Sequence, residues 1–305
     1  MISEKLVLPM NRTKLAGIAL IIGTTTCYAL VPSLSFLSFD AGVETETLLF
    51  DKFFYAAVLM WAYILIRKLP FRLDKKTASV MGIICIAYIG IATTLYLSFD
   101  YISGSLATII SFTFPAMIVA IEMITGREKK SMAKILAVVI SLIGLVFIVW
   151  TPDLSGNIIG ILFALGTAVS YVFYTMGLSM KRIKNTNTIV VAGYVLLTSA
   201  VFNLFRCLIT DKPLFTRGFD QLILILVLAV VCAFMAILFY CMGVKLIGPG
   251  NAAIINTFEP VLACYFGYTI IGDVLTRNMI IGSILVVTAV MIANLPSDLI
   301  HKKIK

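Results

Sequence analysis

Glu259 stands directly before Pro260 and three residues after Asn256, inside an apolar run long enough to cross a bilayer. Positions three apart share a helix face, so the Asn256 amide and the Glu259 carboxylate fall side by side. Pro260 has no N–H to donate and frees a backbone carbonyl about one turn earlier, around Asn256. Such a cluster of acceptors could hold an amine or a proton. A charge at mid-bilayer costs roughly 2.5–3.5 kcal/mol or more, so it normally faces protein or water and has a use. The structural alternative is a protonated carboxyl bonded to a neighbouring helix.

Other ionisable groups sit in apolar runs. Asp51 and Lys52 are adjacent in the second run, where they either neutralise one another or serve coupling or gating, roles also open to Glu259. Glu122 lies one turn from the end of the fourth run. It either snorkels, pairs with Arg127 or Lys130, or takes part in gating. Arg206 and Lys245 are near run ends and read as topology signals or headgroup contacts.

Tyr28, Tyr96, Tyr171, Tyr174 and Tyr240 supply aromatic surface. A phenol in hydrocarbon needs a partner for its hydroxyl, although tyrosines near span ends also act as interface anchors. At 100° per residue, Gly17, Thr24 and Tyr28 lie within about 20° of one line, and Gly160, Thr167 and Tyr171 repeat it. The lines are either facing walls of a binding cavity or packing seams, with glycines allowing close approach and threonines bonding their own helix. Pro32, Pro115 and Pro260 are expected to kink their helices.

No Walker A, HExxH or GxSxG pattern occurs, which gives no support to an ATP-driven pump or a familiar hydrolase. "GPGNAA" (248–253) fits a loose GxGxxA but has no strand before it and reads as a turn into a helix; "GNIIG" (156–160) reads as helix packing. All six cysteines lie in apolar runs without CxxC spacing, and the one histidine, His301, is in the basic tail. No enzyme activity, metal site, cofactor or disulfide is expected.

Several long helices must position these residues. Of the 305 residues, 61% are apolar and 13% charged, with mean hydropathy +1.06; soluble domains carry about 25% charged residues. The chain belongs in a bilayer, as an all-α integral membrane protein. Apolar runs fall near 15–34, 46–66, 77–98, 104–125, 132–150, 158–180, 188–210, 220–243, 250–271 and 278–295, predicting ten transmembrane helices. The net charge of +9 does not point to nucleic acid, because 19 of the 24 Lys and Arg residues lie in alternate connections and the termini. That bias places both termini in the cytoplasm, where the sequon "NRT" at 11–13 has no meaning.

The chain repeats itself. "GIALIIGTTTCY" (17–28) returns as "GILFALGTAVSY" (160–171), and "SLATIISFTFPAMIV" (105–119) as "GNAAIINTFEPVLAC" (250–264), the latter at an offset of 145. An acid follows each proline by thirteen residues, Glu128 and Asp273. The organisation read from this is a cytoplasmic segment 1–14, repeat 1 at 15–150, repeat 2 at 151–295 and a basic tail at 296–305. Five spans per repeat is an odd number, so the second repeat enters the membrane in the opposite sense, a design of alternating-access carriers.

This ordered set resembles the drug/metabolite transporter superfamily and, within it, the EamA-type transporters. The resemblance rests on the Gly-rich first and sixth spans, the proline-centred fourth and ninth, and the "GRE" (126–128) and "GD" (272–273) turns. It implies a central cavity lined by spans 1, 3, 4, 6, 8 and 9, and movement of small organic solutes, often outward. The family often shows an arginine in the second span, where Lys52 is the nearest residue here. The expectation is a secondary transporter in the cell membrane, monomer or homodimer, exporting or exchanging an amino acid or organic amine. A choline-like cation, a nucleoside or a sugar-linked compound remains open, as does a non-transporting membrane enzyme or scaffold.

Overall fold

In hydrocarbon a backbone must satisfy its own polar groups, which favours helices for uninterrupted apolar runs. Every regular element among the described residues is helical. The computed structural model describes residues 12–99, 101–102, 104–127, 131–149, 157–272 and 274–294. The residues 1–11, the tail, Glu128, Lys130 and Asp273 lie outside the described residues.

Helix α1 (Arg12–Ala29) turns at Leu30 into α2 (Val31–Asp40), whose first turn holds Pro32. α3 (Thr45–Ile66) and α4 (Lys75–Phe99) follow, then a broken pair, α5 (Gly104–Ser111) and α6 (Phe114–Ile124), and α7 (Met132–Val149). The second half has α8 (Ile158–Leu178), the single turn α9 (Lys181–Lys184) and α10 (Thr188–Ile209). α11 (Phe219–Val227) runs through a π-helical stretch, Leu228–Met235, into α12 (Ala236–Ile247). A second broken pair, α13 (Pro249–Asn256) and α14 (Glu259–Phe266), ends in a π-helical turn, Gly267–Ile271, before α15 (Arg277–Asn294). Among the described residues eight helical runs are long and apolar enough to cross a membrane, and Met132–Ile148 and Arg277–Ile292 are shorter apolar helices.

The two halves exchange their first helices. α1 packs on α12, α13 and α14, whereas α8 packs on α4, α5 and α6. The glycines at the head of each repeated phrase make this possible. A Cβ on Gly17 would collide with Ile247, and one on Gly160 would collide with Ile102, the residue matching Ile247 in the repeat. α3 pairs with α10 and α7 with α15; in the latter pair Gly144 and Gly282 bring the two backbones together.

The breaks in the two proline-centred helices share one geometry. Thr113 and Phe258, the residues preceding α6 and α14, both have φ −74° and ψ −13°. Pro115 and Pro260 each occupy the second position of the helix that follows. Neighbouring hydroxyls cap carbonyls near each break: Thr113 Oγ1 donates to Ile110 O at 2.7 Å, and Thr257 Oγ1 to Ile254 O at 2.6 Å. Between α12 and α13 the chain reverses at Gly248, whose φ of +81° suits a residue without Cβ.

Candidate functional site

The break between α13 and α14 leaves Asn256 as the last residue of one helix and Glu259 as the first of the next. Asn256 Nδ2 donates to Glu259 Oε2 at 3.1 Å. From α1, Thr25 Oγ1 shares its proton between Asn256 Oδ1, at 3.2 Å, and Ile21 O, at 2.8 Å. Asn256 and Thr25 are fully buried, whereas Glu259 is half-buried. Its second carboxyl oxygen has no hydrogen-bond partner among the described residues.

Tyrosines of α4, α8 and α12 lie near this carboxyl. Tyr88, Tyr171 and Tyr240 are near enough to feel its charge, and Tyr28 lies close to Tyr88. Tyr174 stacks on Tyr240, with ring centroids 5.5 Å apart and planes 9° off parallel, and tilts against Tyr88 at 5.1 Å. Their hydroxyls are anchored: Tyr240 to Thr175 at 2.7 Å, and Tyr174 to Cys241 Sγ at 3.7 Å. Tyr171 stacks at 4.5 Å on Phe114, the residue that stands in the first repeat where Glu259 stands in the second. Tyr174 and Tyr240 are fully buried, so the carboxylate of Glu259 is accompanied by the half-buried rings of Tyr28, Tyr88 and Tyr171, a combination that attracts cations.

The interior is joined unequally at its two ends. Towards the face carrying the basic connections 67–76 and 181–184, Phe114 and Ile118 of α6, Ala168 and Val172 of α8 and Ala253 of α13 form one buried cluster. Val119, Val138 and Ile254 extend it. Towards the opposite face, Ile102, Ala107 and Ala164 hold α5 to α8, but α5 makes no comparable contact with α14 or the turn 267–271 among the described residues. Past the turn at Leu30, α2 leans onto α11, the stretch 228–235 and α14.

The other residues singled out from sequence are placed as follows. Thr24 is fully buried and donates to Ala236 O of α12 at 3.3 Å, and Thr167 bonds Thr94 of α4 at 2.8 Å, so both serve helix contacts. Tyr96 belongs to α4, but its side chain lies outside the described residues. Asp51 and Lys52 do not neutralise one another. Adjacent helical residues point about 100° apart, and Asp51 Oδ2 instead accepts from the Thr216 backbone at 3.0 Å and the Thr216 hydroxyl at 3.1 Å. Lys52 turns to the ring of its neighbour Phe53. Glu122 does not snorkel; it is 7% exposed and its carboxylate lies against Gly250. Arg206 is held by Glu46 of α3 at 3.1 Å.

Tyr88, Thr25 and Thr175 belong to the site and are absent from the sequence-derived set. Tyr88 had a usable signal, since it lies thirteen residues into α4 and thus near mid-depth. Thr25 and Thr175 had none, being single hydroxyls in helices where such residues usually bond their own backbone.

A broken helix in each of two like halves that exchange their first helices defines a multi-pass membrane transport fold. Residues 15–150 and 158–295 each match the model of the EamA-like transporter family, and the chain belongs to that family. It is 22% identical over 284 residues to the uncharacterized transporter YcbK of Bacillus subtilis (strain 168), covering 89% of this chain and 90% of that protein. It is also 22% identical over 233 residues to the uncharacterized inner membrane transporter YicL of Salmonella typhimurium, covering 74% and 77%. A solved crystal structure superposes with a TM-score of 0.77 at 18% identity, covering 93% of this chain and 98% of its own, a likeness of fold alone.

Proposed function

We propose that this transporter is a ten-span, alternating-access secondary carrier that exports or exchanges a small amine-bearing solute, an amino acid or organic amine. The observation that carries the reading is Glu259. It is oriented by Asn256 through one oxygen, leaves the other without a partner among the described residues, and sits at a helix break with tyrosines nearby. An ammonium group with an apolar body suits a carboxylate beside aromatic faces. Both termini lie in the cytoplasm on this reading. The cluster of α6, α8 and α13 is then a closed cytoplasmic gate, and the interior faces outward. Alternation would separate that cluster and bring α5 towards α14, exchanging the roles of the two repeats.

The test is a thermal-shift screen of purified protein against amino acids, amines, choline and nucleosides, followed by liposome flux with the best binder. The reading predicts binding and saturable flux of an amine-bearing solute, both lost in Glu259→Gln. Failure of every amine-bearing compound to bind or move, or an unchanged Glu259→Gln variant, would contradict it.

A further inference from the structure

Lys52 is a buried cation that the site around Glu259 does not use. It lies on α3 and is 7% exposed. Its ammonium group carries three donors, yet among the described residues it has neither a hydrogen-bond acceptor nor an ion-pair partner. Asp51 beside it is fully buried, committed through Oδ2 to Thr216, and its Oδ1 has no partner either. The Lys52 Nζ stands 4.8 Å from the centre of the Phe53 ring. Across from it are Cys232, in the π-helical stretch packed on α3, and Cys27 of α1, which lies near Cys232. Neither thiol is hydrogen-bonded to the ammonium. A buried charge without a counter-charge or acceptors is strongly disfavoured, and π-helical segments recur where function requires an irregular wall.

A continuous wall of packed rings connects Lys52 with Glu259, with half-buried Tyr28 and Tyr88 towards the interior and Phe53, Tyr174 and Tyr240 buried behind them. Phe53 meets Tyr88 edge-on at 6.1 Å, Tyr88 meets Tyr174 and lies close to Tyr28, Tyr174 stacks on Tyr240, and Tyr88 and Tyr240 are near Glu259. A cation thus stands at one end of the wall and a carboxylate at the other. We propose that Lys52 is the anion-binding residue of the carrier, taking the carboxylate of a zwitterionic solute whose amine faces Glu259. This rests on the reading of Glu259 above and narrows it from amines in general to solutes carrying both charges. No acid–base or covalent step is involved; the solute's carboxylate supplies the acceptors that the protein withholds.

Matched probes test the assignment on the full chain in lipid nanodiscs: L-phenylalanine, L-leucine and L-lysine, each with its carboxamide and its decarboxylated amine, and phenylacetate as a carboxylate without an amine. In the wild type and in Lys52→Arg, at least one acid should bind at least about tenfold more tightly than its amide or amine, the least that a charge-assisted hydrogen bond supplies. In Lys52→Gln and Lys52→Met that preference should vanish while amine binding remains. Equal binding of acid, amide and amine by the wild type overturns the proposal, as does a preference that survives in Lys52→Gln or a wild type that binds none of the acids. The wild-type comparison decides the matter even where a variant does not fold. The two readings also fail differently. Amines that bind through Glu259 without any acid preference remove only the role of Lys52, whereas phenylacetate binding that depends on Lys52 with Glu259→Gln unchanged removes only the role of Glu259.

Discussion

The carboxylate of Glu122, near the end of α6, lies against the α-carbon of Gly250 in the first turn of α13. It joins the two broken helices at the face where they meet, and it does so at a helix N-terminus, where a negative charge is favourable. A Cβ on Gly250 has no room beside that carboxylate. Gly250→Ala is therefore expected to push that flexible carboxylate aside and forfeit its place at the helix N-terminus, a loss of about 0.3–1 kcal/mol. In a chain that already carries Glu122→Ala the same substitution should cost little further. Thermal unfolding of the four species of this double-mutant cycle checks the coupling; additive effects would remove the contact from the account.

Gly17 and Gly160 make matching demands. Each lets the first helix of its repeat approach a residue of the opposite half, Ile247 for Gly17 and Ile102 for Gly160. Gly17→Ala and Gly160→Ala should each cost about 1–3 kcal/mol by overpacking. Ile247→Ala should relieve part of the first loss only, and Ile102→Ala part of the second only, because the Cβ atoms of Leu246 and Tyr101 stay in the way. Unfolding midpoints in detergent, compared at one detergent concentration, report this directly. Rescue of the wrong partner would contradict the exchange of first helices.

The Tyr240 phenol depends on Thr175. Thr175→Val keeps the shape and removes the hydroxyl, leaving a buried phenol without that partner at an expected loss of about 1–3 kcal/mol. Tyr240→Phe added to Thr175→Val should cost little more. The pair coupling is expected near 0.6 kcal/mol and no more than about 1.7, as for other hydrogen bonds between membrane helices. Guanidinium or thermal unfolding of the cycle measures it.

Asp74 precedes α4 and is exposed. Hydrogen bonds from the Thr77 hydroxyl and then the Thr77 backbone hold its carboxyl below the usual carboxylate range, with Arg182 at 3.8 Å adding to the effect. A folded pKa below the unfolded one stabilises the protein above the unfolded value, about 3.9, and the contribution is lost as pH falls through the lowered folded value. Acid titration of unfolding should contain a small step there that Asp74→Asn removes. An identical acid limb in the variant would contradict the cap.

Much of this architecture is legible in the residues. Long apolar runs mark where helices cross, and the repeated prolines at Pro115 and Pro260 mark where two of them break. Glu259 and Asn256 could be paired because their spacing within one helix turn survives the break. What was not legible depends on helix rotation. α4 is apolar on nearly all sides, so nothing local says that Tyr88 faces the interior, and its depth in the helix is the only clue. Asp51 and Lys52 invite pairing by sequence adjacency, although helix geometry turns them apart. Glu122 looked like a residue near a membrane edge because its contact, the first turn of α13, comes from a segment more than a hundred residues away.

Alternating access is the central claim, and the gate proposed between α6 and α13 exposes it to a direct test. Val119 and Ile254 pack together in that gate. Cysteines placed at both positions, in a chain whose six native cysteines are replaced by alanine, allow the gate to be closed by oxidation. The measurement is counterflow of radiolabelled L-amino acids into proteoliposomes before oxidation, after oxidation and after reduction. The account predicts saturable counterflow that stops when the pair is crosslinked and returns with reductant. Counterflow that continues undiminished with the pair fully crosslinked would contradict it.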